Sequence, residues 1–166
     1  MKNACPSGCV AADVLALAGR WALGGFFIYM GLNKAADPVA FLKLVRQYDL
    51  FPTPLLLNGV AALLPWFEVF CGALLIAGIA VRGAALVVAA LLVPFSLAIL
   101  GRALDLGSAQ GIPLCAVKFD CGCGTGEVNA CRKLVENTLW TALALWLAWS
   151  RHGRRWCLHP ELWGGR

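Results

Sequence analysis

Four stretches of this 166-residue chain are apolar over a length that crosses a bilayer: 13–33, 55–79, 83–101, and 134–150 extended back to about 131. A hydrocarbon core takes about 20 helical residues to span. In lipid an open chain must satisfy its backbone internally, which leaves helices. The predicted fold class is therefore all-α, an integral membrane four-helix bundle. Composition agrees. Hydrophobic residues make up 60% of the chain and charged ones 14%, against about a quarter charged in soluble domains. The mean hydropathy is +0.74. Charge this sparse cannot cover a water-facing surface. The net charge of +5 is scattered between apolar runs, which argues against nucleic acid and for loop charges that set topology. The N-terminus lacks the succession of charged region, short apolar core and small-residue cleavage site of a removed signal peptide. With no internal repeat and no low-complexity segment, one membrane domain is expected over 1–166.

The connections differ in kind. Asp37-Pro38 makes a helix start, an N-cap before a proline at the first helical position. Phe41, Leu42, Val45 and Tyr48 then fall on one stripe, with Lys43, Arg46 and Gln47 off it. This predicts a short amphipathic helix over 38–49 lying in the interface, broken by the Phe-Pro-Thr-Pro that follows. The second link is tight, around Arg82-Gly83. The third is long, about 102–130. Arg151, Arg154 and Arg155 in the tail, with Arg82, argue for cytoplasmic termini. Lys34, Lys43, Arg46, Arg102, Lys118, Arg132 and Lys133 weigh on the other side. The expected orientation puts the long link in an oxidising compartment, where disulfides persist.

That link contains FDCGCGTGEVNACRK, residues 119–133. Of eight cysteines, Cys115, Cys121, Cys123 and Cys131 belong to it, Cys5, Cys9 and Cys157 to the opposite face, and Cys71 to the second run. A single thiol beside Gly72 is expected as a small apolar filler. Three chemistries fit the loop set: thiol–disulfide exchange, structural disulfides, and a metal. The spacing C-x5-C-x-C-x7-C matches no common zinc pattern. For exchange, Cys121 and Cys123 are the expected pair, because the flanking glycines allow a partner's backbone to approach. A disulfide across one intervening residue is strained and labile. With the last helix starting near 125–127, Cys131 would lie one turn after Glu127 in the positive field of the helix N-terminus. It would resolve or shuttle the disulfide, with Glu127 available to accept a proton. On the opposite face Cys5, Cys9, Cys157 and His159 could make a tetrahedral metal site, although reduced thiols or a local disulfide fit as well.

Two charges fall inside the runs, Arg20 and Glu68. Intramembrane charges are costly and are paired or functional. The expectation is a buried Arg20–Glu68 ion pair holding the first two helices in register. The alternative is a proton or headgroup site for a quinone. Pro65 removes the backbone donor to Ala61 and predicts a kink just before Glu68. Glu136 and Asn137 lie near the cysteine face, placed to bond the loop or a substrate. Trp140, Trp146, Trp149, Trp156 and Trp163 are expected mostly towards lipid or in an interfacial belt.

RWALGGFFIYMGLNK, DPVAFLKLVRQYDLFP and PWFEVFCGALLIAG resemble the DoxX-type membrane proteins. FDCGCG followed by CRKLVENTLW resembles their MauE branch, named for methylamine utilisation. The resemblance runs from about 13 to 150. It implies four helices in a bacterial cytoplasmic (inner) membrane and movement of disulfide oxidising equivalents with a thioredoxin-like partner. In DoxX relatives it also implies quinone-coupled thiol oxidation. By position, Cys121 and Cys123 correspond to the branch's cysteine pair and Glu68 to its second-helix acid. Cys115, Cys131 and the terminal cysteines are additions, and metal handling stays open. The competing function class is a non-enzymatic structural or assembly subunit of a larger membrane complex.

Overall fold

The computed structural model describes residues 7–48, 52–120 and 127–150, with side chains from 11 onward. Five helices and a two-stranded hairpin follow in the order α1 (Ser7–Ala36), α2 (Pro38–Gln47), α3 (Pro54–Ala77), α4 (Val81–Gln110), β1 (Lys118–Asp120), β2 (Glu127–Asn129) and α5 (Ala130–Trp149). A 3-10 turn, Leu114–Ala116, precedes β1. Among the described residues three helical segments are long and apolar enough to cross a membrane: Ala11–Ala36, Pro54–Ala77 and Val81–Gln110. The fourth apolar run is helical in α5, but Arg132, Lys133 and Glu136 in its first two turns keep it out of that class.

The element ends follow local chemistry. Asp37 caps α2 as expected, its side chain accepting from the Ala40 N–H at 2.9 Å, with Pro38 in the first turn. α3 continues through Pro65 and stops at Gly78, whose φ of 73° only glycine adopts freely. α4 runs nine residues past the expected end at 101. Ala103 and Gly107 there are buried, so the polar residues among them lower the hydropathy without ending the helix. The third link is correspondingly shorter than expected. α5 begins at Ala130, several residues later than 125–127, because Asn129 is the N-cap: its side chain accepts from the Arg132 N–H.

α1 lies along α3 and α4 along α5, while α3 touches α4 and α1 touches α5. The main core draws Leu23 and Phe27 from α1, Cys71 and Leu75 from α3, Ala85 and Val88 from α4, and Ala144 and Leu147 from α5. Cys71 is thus the buried filler expected of it. Large apolar side chains face outward, including Leu63, Trp66, Leu97 and Leu139, an inside-out surface that suits lipid. Trp149 is in this outer set. Trp140 turns inward instead and stacks on Phe26, ring centroids 4.6 Å apart.

α1 and α3 approach at glycines. A Cβ on Gly24 would meet the Gly72 carbonyl at 2.7 Å, and one on Gly72 would meet the Gly24 carbonyl at 2.6 Å. Seven residues on, a Cβ on Gly31 would collide with the Pro65 carbonyl. Small residues let membrane helices pack backbone to backbone, where dispersion replaces the missing hydrophobic drive. This contact sets the register of α1 against α3.

Candidate functional site: a stapled hairpin over a buried polar cluster

The hairpin is built from both ends. β1 and β2 pair antiparallel with Lys118 opposite Asn129, Phe119 opposite Val128 and Asp120 opposite Glu127. Val117, Ala130 and Ala103 are fully buried and pack together, which seats the hairpin base on α4 and α5. The Ala130 N–H donates to the Val117 carbonyl at 3.1 Å. Asn129 serves twice: it caps α5, and its Nδ2 donates to the Cys115 carbonyl. A disulfide joins Cys115 to Cys131, with Cα atoms 5.0 Å apart and 16 residues between them in sequence number. By chain entropy, closing a loop of about 15 residues contributes about 3 kcal/mol.

Two expectations are corrected here. Cys131 is bonded to Cys115, so it is not a third thiol waiting beside Cys121 and Cys123. Glu127 is exposed in β2, three residues before α5, and does not share a helix face with Cys131. The cause of both is the Asn129 cap, which starts the helix late and brings its first turn against the 3-10 turn that carries Cys115. Cys121 and Cys123 lie outside the described residues, as do Cys5, Cys157, His159, Trp156 and Trp163, and Cys9 falls in the first turn of α1, before the side chains that are described. Among the described residues no group of three or more potential ligands could hold a metal.

Beneath the hairpin lies a set of buried polar side chains. Glu68 pairs with Lys34, whose Nζ is 2.5 Å and 2.7 Å from the two carboxylate oxygens. Both groups are largely buried. The expected Arg20–Glu68 pair does not form. Arg20 is buried, but its Nη2 donates to the Ile76 carbonyl at 3.4 Å. Arg20 is 14 residues from Lys34, about 21 Å along the helix axis, and the glycine contact places Lys34 at the level of Glu68. The same antiparallel contact sets Arg20 beside Ile76, near the C-terminal end of α3.

Lys133 is 2% exposed and Asn137 1%. The Lys133 ammonium lies 3.3 Å from Glu136, one turn on, and over the ring of Phe26. Asn137 donates to the Ser96 hydroxyl at 3.3 Å, tying α5 to α4. The Lys34 ammonium faces the rings of Phe41 and Phe95 at 5.5 Å and 5.6 Å, an attraction that strengthens away from water. Lys34, Glu68, Lys133 and Asn137, with Phe26 and Phe95, line one cavity of about 30 Å³. That is room for a water or two. The structure places Glu68 and Asn137 on the same cavity and leaves Arg20 out of it. Lys34 and Lys133 were missed, having been taken as loop charges. A signal for Lys133 was present: Ala130, Lys133, Asn137, Ala144 and Ala148 recur at helical spacing and are all buried.

The two parts of the site touch. Phe119 and Val128, the central cross-strand pair, pack on Met30 and Ile99 together with Phe26 and Phe95. Met30, Phe26 and Phe95 also line the cavity, so a single layer of side chains separates hairpin from cluster.

The family described as methylamine utilisation protein MauE matches residues 12–150. The chain belongs to the MauE family. The MauE match spans α1 to the end of α5 and so contains both the stapled hairpin and the polar cluster. Cys5, Cys9, Cys157 and His159 fall outside the MauE-matching stretch. No curated protein and no solved structure matches the chain.

Proposed function

We propose that this MauE-family protein is a membrane thiol–disulfide oxidoreductase, working in methylamine utilisation as the family description has it. In this reading α5 is a fourth span, the termini are cytoplasmic, and the hairpin stands on the outer side of a bacterial inner membrane. Burial of Lys34 and Lys133 favours this orientation, since neither is then a free loop charge. A Cys121–Cys123 disulfide takes two electrons and two protons from the dithiol of a thioredoxin-like partner. The partner's disulfide forms as the Cys121–Cys123 bond opens. Glu127, exposed where the chain enters β2, accepts the proton that turns a thiol into the attacking thiolate. Electrons then pass to a quinone in the bilayer, for which Glu68 and Asn137 supply polar contacts in the interior cluster.

The observation that carries this reading is the Cys115–Cys131 bond. It accounts for two of the four loop cysteines as a scaffold and anchors both ends of the segment that holds the other two. The test is oxidation of a reduced thioredoxin-like substrate by purified protein with added quinone. The C121S/C123S variant is expected to lose this activity while remaining inserted. Full activity in that variant would sink the proposal.

A second reading, an assembly subunit without redox activity, draws on an open apolar groove of about 420 Å³ on α3, lined by Leu55, Leu56, Val60, Leu63 and Phe67. Recovery in a stoichiometric complex, with no thiol oxidation by any variant, would favour it.

A further inference from the structure

We propose that the Cys115–Cys131 disulfide is a redox latch on the interior cavity. While it is closed, Lys133 is held inside. When it is reduced, the first turn of α5 loosens, Lys133 leaves for water and the cavity opens to a ligand.

The inference starts from the position of Lys133. It is the fourth residue of α5 and, among the described residues, the largest side chain that is fully buried. A lysine this close to the end of a helix ordinarily extends its ammonium to the aqueous boundary, because the four-carbon stem is long enough and the charge is costly to keep from water. Here the boundary is closed. The ammonium has Phe26 on one side and Glu136 at 3.3 Å, and Glu136 is itself 38% exposed, so water already reaches the partner carboxylate. What holds the turn down is its attachment to the segment before β1. Cys131 is two residues from Lys133, and Cys115 sits in the 3-10 turn against it. The other ties across this junction are the packing of Ala103, Val117 and Ala130 with Leu106, Ile112 and Leu114, the β1–β2 pairing, and the hydrogen bonds of Asn129 and Ala130. The disulfide is the one covalent bond among them, and Cys115 is exposed, open to an approaching dithiol.

The size of the cavity gives the latch a purpose. At about 30 Å³ the closed form holds water but no ring. Withdrawing the Lys133 side chain enlarges the space between Phe26, Phe95, Glu68 and Asn137. An aromatic-walled slot with polar ends suits the ring of a quinone. This identification of the ligand rests on the quinone-linked function proposed above; the latch does not.

The chemistry balances. A dithiol reduces Cys115–Cys131 to two thiols and becomes a disulfide itself. Closing the latch reverses this: the two thiols give two electrons and two protons to a disulfide or quinone oxidant, and the Cys115–Cys131 bond re-forms.

The test uses the full chain carrying C121S/C123S in lipid nanodiscs, so that Cys115–Cys131 is the disulfide under study. Lysines are acetylated with a membrane-impermeant amine reagent and quantified by peptide mass spectrometry, with exposed Lys43 on α2 as internal reference. In the oxidised protein Lys133 is expected to be protected. After reduction with dithiothreitol its rate relative to Lys43 is expected to rise on the order of tenfold or more, as for a locally opened segment. C115S/C131S should label fast without reductant. If that variant does not insert, the reduced protein decides alone. Protection of Lys133 that persists after complete reduction overturns the latch, as does fast labelling in the oxidised state. Thiol oxidation by the protein with Cys121 and Cys123 intact is measured separately, so loss of the proposed function and loss of the latch give different results.

Discussion

The α1–α3 pair and the α4–α5–hairpin unit are held by different physics. α1 and α3 meet backbone to backbone at Gly24, Gly31 and Gly72, and one desolvated ion pair, Lys34–Glu68, closes the contact at its outer end. α5 is held to its surroundings by Ala144, Leu147 and Ala148 in the main core, an Asn137–Ser96 hydrogen bond and a disulfide at its first turn. The first contact has no covalent tie and depends on close fit. The second adds a bond that redox conditions can remove. The half that can be switched is therefore the half beside the cysteine hairpin, and the rigid half supplies the acid that faces it.

The largest expected effect is on the ion pair. Glu68→Met or Lys34→Met alone should destabilise the protein by about 3–5 kcal/mol, because each leaves a buried charge without its partner. K34M/E68M together should cost less than the sum of the two. Unfolding in mixed micelles gives the numbers, and a double-mutant cycle reports the coupling. The same cycle between Arg20 and Glu68 should show additivity. Strong Arg20–Glu68 coupling would mean that the α1–α3 register described above is wrong.

Next comes the staple. Reducing Cys115–Cys131 should lower stability by about 3 kcal/mol, the entropy of freeing a loop of about 15 residues. Hydrogen exchange should place the loss in residues 114–134 and leave α1 and α3 protected. A loss spread evenly over all helices would erase the contrast between the two halves.

The smallest effect separates the glycines. Gly24→Ala and Gly72→Ala put a Cβ into opposing backbone and should cost about 1–3 kcal/mol. Gly25→Ala meets nothing within 4 Å and should change stability by no more than about 0.5 kcal/mol. Equal losses at Gly24 and Gly25 would show that close approach is not what joins α1 to α3.

Much of this was legible in the chain. The apolar runs specified the helices, since in lipid no other open structure satisfies the backbone. Asp37-Pro38 placed the start of α2 through its local hydrogen bond. Glu68 stood out because a charge at membrane depth is costly and must be paired or functional. The helix boundary at Asn129 was harder to see, because a single side-chain cap decides it. The extension of α4 to Gln110 was hidden because hydropathy falls before helicity does.

By itself, the sequence determined that the chain is mostly membrane helix, that its thiols gather in one link, and that a few charges must be kept from lipid. These are local or compositional facts, set by the cost of exposing backbone and charge. Tertiary structure alone decided which charge meets Glu68, which cysteine meets Cys131, and that Lys133 points inward. Each depends on contacts between segments distant in sequence: glycines set the α1–α3 register that gives Glu68 its partner, while the Asn129 cap and the seating of the 3-10 turn on α5 set the other two. A shift of α1 by two turns would keep every propensity in the chain and exchange Lys34 for another partner.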